Sequence, residues 1–143
     1  MKTQMRMIPL ALVAMLGASS ACAAAMSPAQ KAIVDAFAAT AGKENPGFQG
    51  FSADRGKAFF HGQHKGGKED SPSCTSCHTS DLTKPGKSRA GKEIAPMAAS
   101  VNPKRFTDTA DVDKWLKRNC NDVLGRECTT TEKGDVLTYL LGL

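Results

Sequence analysis

Three residues in the stretch SPSCTSCHTSD have the types and the spacing of a reactive or metal-binding site. Cys74 and Cys77 are separated by two residues, and His78 follows directly. A Cys-x-x-Cys pair can be a redox-active dithiol, one half of a zinc site or, when a histidine follows, the attachment site of a covalent haem. The compartment in which the chain folds helps to decide among these three chemistries.

The N-terminal 25 residues have the features of a secretory signal peptide. Lys2 and Arg6 precede a short apolar run, and small residues in Ala-x-Ala patterns follow it. We expect cleavage after Ala25, and cleavage after Ala23 is the alternative within the same pattern. A lipidated Cys22 is disfavoured, because the residues before it lack the aliphatic side chain usual in such signals. The apolar run is shorter than the ~20 residues of a membrane span, so the sequence predicts a periplasmic protein that does not span the membrane.

Residues 26–143 have a length suited to one domain with a modest core. Removal of Lys2 and Arg6 lowers the count of basic residues from 19 to 17 against 14 acidic ones, so the formal charge falls from +5 to +3. The sequence has no basic stripe with interleaved aromatic residues. Nucleic acid is therefore not an expected partner.

Export favours haem attachment over a zinc site or a redox-active dithiol as the interpretation of the cysteine pair. A four-ligand zinc site would need Cys120 and Cys128 as its second pair, and these lie too far apart for the usual spacing. A thioredoxin-like dithiol would need a βαβ pattern, and the chain lacks alternating β-branched runs. We therefore predict one covalent haem c, with Cys74 and Cys77 forming the thioethers and His78 as the proximal iron ligand.

Apolar periodicity predicts an all-α domain with four helices. They are expected from Ser27-Pro28 to just before Gly42, from Ser52 or Asp54 through Phe60, from Ala110 to Leu124, and from Thr129-Thr130-Thr131-Glu132 onward. Residues 79–103 are rich in Pro, Gly, Ser and Lys and predict a long loop that wraps a ligand. Its basic residues are expected to form a solvated face, and a haem propionate as the partner of one of them is the alternative: Lys84, Lys87, Arg89 and Lys92.

The second cysteine pair lies in RNCNDVLGREC, between the third and fourth predicted helices. In an exported protein, Cys120 and Cys128 are expected to form a disulfide.

Two residues compete for the iron position opposite His78. The third helix places Val112, Trp115, Leu116 and Val123 on one apolar stripe, and the polar Asn119 falls on the same stripe. Met97 follows a proline in IAPMAAS, as some cytochrome ligands do. His61 and His64 are expected at the surface. The pattern alone leaves Asn119 and Met97 open.

The chain from about Gly56 to its C-terminus resembles the sphaeroides haem protein family, which are small exported c-type cytochromes. The resemblance is carried by CTSCHT, by NPKRFTD, by the W-x-x-R-N-C turn and by ECTTTEKGD at the start of the last helix. It implies the class I cytochrome c helical fold with an extra N-terminal helix, one covalent haem and a Cys120–Cys128 disulfide. It also implies His78 and Asn119 as the axial pair, with Asn119 leaving on reduction.

The resemblance further implies that the reduced haem binds O2 or NO, with CO as a further ligand of the same type. Its implied electron donors are a dihaem cytochrome c and a membrane cytochrome b. An enzymatic reduction or oxidation of small diatomic ligands stays open at this stage. A plain electron shuttle ligated by His78 and Met97 is the alternative, and a gas sensor is a third reading.

Overall fold

The computed structural model describes residues 26–143, so the predicted signal peptide and Cys22 lie outside the described residues. The elements in chain order are α1 (Pro28–Glu44), α2 (Ala53–His61), α3 (Thr75–His78), β1 (Gly86–Lys87), β2 (Glu93–Ile94), α4 (Thr109–Leu124) and α5 (Thr130–Leu141). The predicted helical fold and all four predicted helices are present. The one-turn helix α3 and the small antiparallel β1–β2 pair were not predicted.

Helix α1 begins with a capping box and ends later than predicted. The Ser27 hydroxyl accepts a hydrogen bond from the Gln30 backbone N–H, and the Gln30 side chain accepts one from the Ser27 N–H. These bonds satisfy two polar groups at the start of the helix. Gly42, predicted to follow the helix, lies inside it, because a single glycine costs only about 1 kcal/mol relative to alanine.

Helix α5 begins with the predicted capping box. The Thr129 hydroxyl accepts from the Glu132 N–H, and the Glu132 carboxylate accepts from the Thr129 N–H at 2.8 Å. Arg126 donates to both oxygens of the same carboxylate, at 2.8 and 2.7 Å. This end of α5 is therefore fixed to the turn that precedes it.

Helices α2 and α5 pack against each other at Gly56. A Cβ atom at this position would collide with the backbone carbonyl of Asp135, so only glycine allows the two backbones to approach so closely. The buried Asp135 carboxylate accepts hydrogen bonds from the Arg55 guanidinium and from the Ser52 N–H, all at 2.7 to 2.8 Å. The negative charge of Asp135 at this helix crossing is therefore compensated by Arg55.

Helix α5 divides the core into two apolar clusters. The first joins α5 to α2 and to the loop before α4, and its buried members are Phe60, Leu82, Met97, Ala98, Val136, Tyr139 and Leu140. The second joins α5 to α1 and α4, and its buried members are Ile33, Ala99, Val112, Leu137 and Leu141. Phe106 packs against both clusters, so the turn that carries it lies where they meet.

The chain from 79 to 103 is the predicted long connection, and backbone hydrogen bonds hold it in place. The Leu82 carbonyl accepts from the N–H groups of both Met97 and Ala98, each at 3.0 Å. The Ala99 N–H donates to the Leu140 carbonyl at 3.4 Å. The second half of the loop is therefore anchored to its own beginning and to α5.

Helix α4 is tied to its neighbours at its C-terminal end. The predicted disulfide joins Cys120 to Cys128. The Asp122 carbonyl accepts from the Lys68 N–H at 2.7 Å, and the side chains of the same two residues form an ion pair. Trp115 was predicted to lie on the buried stripe, but it is 47% exposed, and the cations of Lys114 and Arg118 lie 5.2 and 5.6 Å from its ring centroid.

Among residues 26–143, none of the helices is both long enough and apolar enough to cross a membrane.

The crossing at Gly56 predicts a sharp sensitivity to one methyl group. Gly56→Ala should lower the free energy of unfolding by about 3 kcal/mol, since the added Cβ overpacks a contact with backbone atoms that cannot move aside. Denaturant titration of the haem-loaded protein measures this change.

Gly42→Ala is the matched control, because a Cβ at Gly42 meets no atom within 4 Å. It should be neutral or stabilise the protein by up to about 1 kcal/mol. Equal effects of the two substitutions would contradict the close approach of α2 and α5.

Candidate haem-attachment site

The predicted attachment residues lie on one tight turn. Cys74 caps the one-turn helix α3, and its carbonyl accepts hydrogen bonds from the N–H groups of Cys77 at 3.3 Å and His78 at 3.1 Å. This turn places both thiols and the imidazole within five consecutive residues of fixed backbone. The structure thus brings together all three residues that the sequence singled out.

Ser73 fixes the start of the turn to helix α2. Its buried hydroxyl donates to the Phe60 carbonyl at 3.2 Å and accepts from the Thr75 N–H at 3.3 Å. The Phe60 ring lies 6.0 Å from the His78 ring, centroid to centroid. The position of the imidazole is therefore set by the end of α2.

Strand β1 supports the turn from the other side. Gly86 is buried, and a Cβ atom there would collide with the carbonyl oxygen of Cys77 and press on the Cα of His78. Only a glycine lets the strand lie directly against the turn. The first strand of the long loop therefore supports the backbone of the attachment turn.

The imidazole of His78 lies in a site of low polarity. Burial, and to a smaller extent the positive charge of Arg105, lower the pKa of His78 to about 4. The ring is therefore neutral at physiological pH, which is the form that ligates metals. Its Nδ1 atom is buried without a hydrogen-bond partner among residues 26–143.

The two thiols are free and differ from a redox dithiol in their electrostatics. Cys74 and Cys77 form no disulfide with each other. Burial raises the pKa of the Cys74 thiol to about 11, whereas a reactive dithiol needs a lowered thiol pKa. The pair is thus poorly suited to disulfide exchange.

Asn119 lies in the last two turns of α4, next to the disulfide. Its side chain is half-buried, and its amide forms no hydrogen bond within the described part of the chain. Asn121 differs, because it is exposed and donates to the Lys117 carbonyl of its own helix at 2.9 Å. Asn119 therefore has an uncommitted amide on the predicted stripe.

The competing ligand candidates each have contacts of their own. Met97 is 7% exposed and packs in the first apolar cluster, which Cys74 also contacts. His61 and His64 were expected at the surface but are half-buried, and each has a partner. His61 Nε2 lies 2.9 Å from the Tyr139 hydroxyl, and His64 Nε2 lies 2.8 Å from the Phe59 carbonyl oxygen.

Arg105 is a site residue that sequence reasoning missed. Its charge acts on His78, and its Nε atom is buried without a partner among the described residues. The only signal in the sequence was its place in the NPKRFTD motif. The four loop cations considered instead are Lys84, Lys87, Arg89 and Lys92.

These residues fit a covalent haem better than a metal centre built by the protein alone. Within the part of the chain that is described, no three His, Cys, Asp or Glu side chains converge in a way that could hold a metal ion. The turn offers two unpaired thiols for thioether bonds and one neutral imidazole with a buried, unpartnered nitrogen. A group that brings its own metal and its own ring ligands would satisfy all three.

Comparison with known proteins also indicates a c-type cytochrome. Residues 46–140 match a family model described as a domain of unknown function, DUF1924. The chain is 50% identical over 123 residues to cytochrome c-type protein SHP of Cereibacter sphaeroides, an alignment that covers 86% of this chain and 89% of that protein. It is 41% identical over 98 residues to cytochrome c'' of Methylophilus methylotrophus, covering 68% of each.

The solved structures agree with the sequence relatives. The structure of oxidized SHP, described as an oxygen-binding cytochrome c, superposes with a TM-score of 0.71 at 48% identity and covers 80% of this chain and 96% of that chain. Oxidized cytochrome c'' superposes with a TM-score of 0.67 at 38% identity, covering 79% of this chain and 93% of that chain. The chain therefore belongs to the SHP family and is a monohaem c-type cytochrome with a covalently attached haem c.

Proposed function

We propose that this cytochrome is exported to the periplasm, is ligated in the ferric state by His78 and Asn119, and binds O2 or NO when reduction releases Asn119. Haem c supplies one-electron chemistry and, at a free axial position, binding of diatomic gases. The observation that carries the proposal is the uncommitted, half-buried amide of Asn119 in a chain 50% identical to SHP. The solved structure of that relative is described as an oxygen-binding cytochrome c.

His78 is suited to the permanent ligand. Its ring is neutral because burial lowers its pKa to about 4, so it needs to lose no proton before it binds iron. The turn, Ser73 and Gly86 restrain it from three sides. A restrained neutral imidazole remains bound in both redox states.

Asn119 is suited to a ligand that leaves. The oxygen of a neutral amide is a hard donor, and it suits ferric iron better than electron-rich ferrous iron. Its departure leaves no charge behind, and the half-buried side chain has room to reach solvent. Reduction therefore weakens this bond without disturbing the rest of the site.

After it leaves the iron, the Asn119 amide can still act as a hydrogen-bond donor. The disulfide holds the backbone next to Asn119, so the side chain stays near the position it vacates. Its N–H groups can donate a hydrogen bond to a bound gas, and distal donors of this kind favour O2. We assign Asn119 this second role, as a donor to the gas.

The proposed partners follow from the family resemblance. A dihaem cytochrome c and a membrane cytochrome b are the proposed electron donors. Reductive or oxidative chemistry on O2 or NO would require only the open position and electron delivery. Whether turnover accompanies binding is decided by measuring gas consumption with a chemical reductant.

Haem attachment at the turn gives a direct test. Replacement of both Cys74 and Cys77 by Ala should abolish haem staining on a denaturing gel, because no thioether then survives unfolding. The matched control replaces Cys120 and Cys128 by Ala. It should retain the covalent haem and lose roughly 2 to 3 kcal/mol of stability with the short disulfide loop. Covalent haem in the first variant would refute the assignment.

Export is tested by the intact mass of the protein isolated from the periplasm. The mass should correspond to a chain that begins near Met26, carries one haem and lacks two hydrogens at the Cys120–Cys128 disulfide. Recovery of the uncleaved chain from the cytoplasm, or a lipid mass on Cys22, would contradict the proposed location.

The distal ligand is tested by Asn119→Ala. The ferric absorption spectrum should change from low-spin to high-spin or water-bound, because the sixth protein ligand is lost. The ferrous protein should still bind CO as the wild type does, because Asn119 has already left in that state.

Asn121→Ala is the matched control, since Asn121 is the same residue type two positions away and bonds only to its own helix. It should leave both spectra unchanged. If Met97→Leu rather than Asn119→Ala removes the ferric sixth ligand, the protein is instead an electron shuttle with a His78 and Met97 pair.

A further inference from the structure

We infer that Arg105 binds a propionate carboxylate of the haem and that Gln30, on the N-terminal helix α1, positions it there. The inference rests on attachment of haem at the Cys74–His78 turn. It does not depend on Asn119 or on any gas, so it can fail while the proposed function stands.

The Arg105 guanidinium is unusual among the described arginines. Its Nε atom is buried without a hydrogen-bond partner, and it forms no ion pair with a carboxylate in residues 26–143. Arg55, Arg89 and Arg126 each contact a carboxylate. A desolvated cation without an anion is costly, and burial accordingly lowers the pKa of Arg105. The polypeptide alone does not compensate this charge.

Arg105 lies beside the apolar cluster that the attachment turn contacts. The adjacent Phe106 ring, 5.6 Å from the guanidinium carbon, packs against the apolar cluster that Cys74 also contacts. A side chain beside this cluster is within the region where a haem attached at Cys74 would pack.

The missing anion is one that the haem provides. A haem c carries two propionate carboxylates at one edge of the ring. The fork of guanidinium N–H groups matches a carboxylate in geometry, and such charge-assisted bonds are stronger than neutral ones. One carboxylate would satisfy the buried Nε–H and neutralise the charge together.

The loop cations considered from the sequence lack these features. Lys84, Lys87 and Lys92 are exposed, and the exposed Arg89 is occupied by Asp70 at 3.3 Å. None of them has a buried nitrogen without a partner among the described residues. The propionate partner is thus placed after the long loop, in the turn before α4.

Gln30 fixes that turn from the side of α1. Its side chain is 3% exposed, and its Nε2 donates to the Arg105 carbonyl at 2.8 Å and to the Pro103 carbonyl at 3.3 Å. Its Oε1 accepts from the Ser27 N–H at 2.8 Å, so the amide is satisfied at both ends. Ile33, one turn further on, packs in the second apolar cluster and holds α1 in place.

The backbone of the turn is constrained as well. Phe106 has a φ of 60°, a left-handed conformation that is costly for a residue with a bulky side chain. The Arg105 N–H donates to the Asn102 carbonyl at 3.0 Å, and Asn102 Nδ2 donates to the Pro96 carbonyl at 3.2 Å. These contacts maintain a backbone that directs Arg105 toward the site.

The test compares Arg105→Gln with Lys104→Gln in the haem-loaded protein. Lys104 is exposed and adjacent, so its replacement removes the same charge without touching the site. Arg105→Gln should shift the equilibrium between ferric and ferrous haem about tenfold toward ferric, a drop of about 59 mV in midpoint potential. Lys104→Gln should shift it less than twofold, because water screens an exposed charge.

A second readout reports the contact itself. Resonance Raman bands of the propionate groups should change in Arg105→Gln and, more weakly, in Arg105→Lys, which keeps the charge but loses the fork of donors. If Arg105→Gln does not fold, the propionate bands of Arg105→Lys, which retains the charge, still test the contact. Equal potential shifts for Arg105→Gln and Lys104→Gln, or unchanged propionate bands, would overturn the inference.

The positioning role of Gln30 is tested with Gln30→Leu. It should shift the midpoint potential in the same direction as Arg105→Gln and by less. Ile33→Val loosens the docking of α1 without touching the turn, so it should lower the melting temperature and leave the potential unchanged. If both variants change only the melting temperature, Gln30 has a merely structural role.

Discussion

The contact of α2 with α5 at Gly56 is the constraint on which the site depends. The Asp135 carbonyl leaves no room there for a side chain, so both helix axes are fixed relative to each other. The far end of α2 then presents the Phe60 carbonyl to Ser73 and the Phe60 ring to His78. Through these contacts the position of the attachment turn depends on a helix crossing that lies about one helical turn away along α2.

The charges of the site follow from the same packing. Burial keeps His78 neutral and raises the pKa of the Cys74 thiol, while Arg105 remains the one cation with a buried, unpartnered nitrogen among the described residues. The polypeptide alone thus places neutral ligands on the attachment turn and leaves one partly buried cation without an anion among residues 26–143. This arrangement suits an apolar group that carries its own metal and its own carboxylates.

Local signals in the sequence predicted those features that a few neighbouring residues determine. The Cys-x-x-Cys-His turn, the Thr129–Glu132 capping box and the Cys120–Cys128 pair all depend on short spacings. Trp115 was misplaced because helical periodicity reports which residues share a face, not whether another element covers it.

Features that depend on distant contacts had no such signal. Arg105 is recognised from its Nε atom, which is buried and unpartnered within the described part of the chain, and its backbone is held by Gln30, 75 residues earlier in the chain. Gly86 likewise carries no pattern in the sequence, since its role arises from a strand that lies against the Cys77 carbonyl. The axial assignment of Asn119 came from a family resemblance, and it remains a proposal that the spectra of the variants decide.

The way α4 is anchored limits how a ligand exchange at Asn119 can occur. The helix is held on its C-terminal side by the Cys120–Cys128 disulfide, by the Lys68–Asp122 ion pair and by the ion pair of Lys117 with Glu127 at 2.9 Å. A shift of the whole helix would have to disrupt all three ties. Rotation of the Asn119 side chain disrupts none of them. In the proposed cycle, exchange is therefore a side-chain movement with little backbone reorganisation, and the amide is returned to its place whenever the haem is reoxidised.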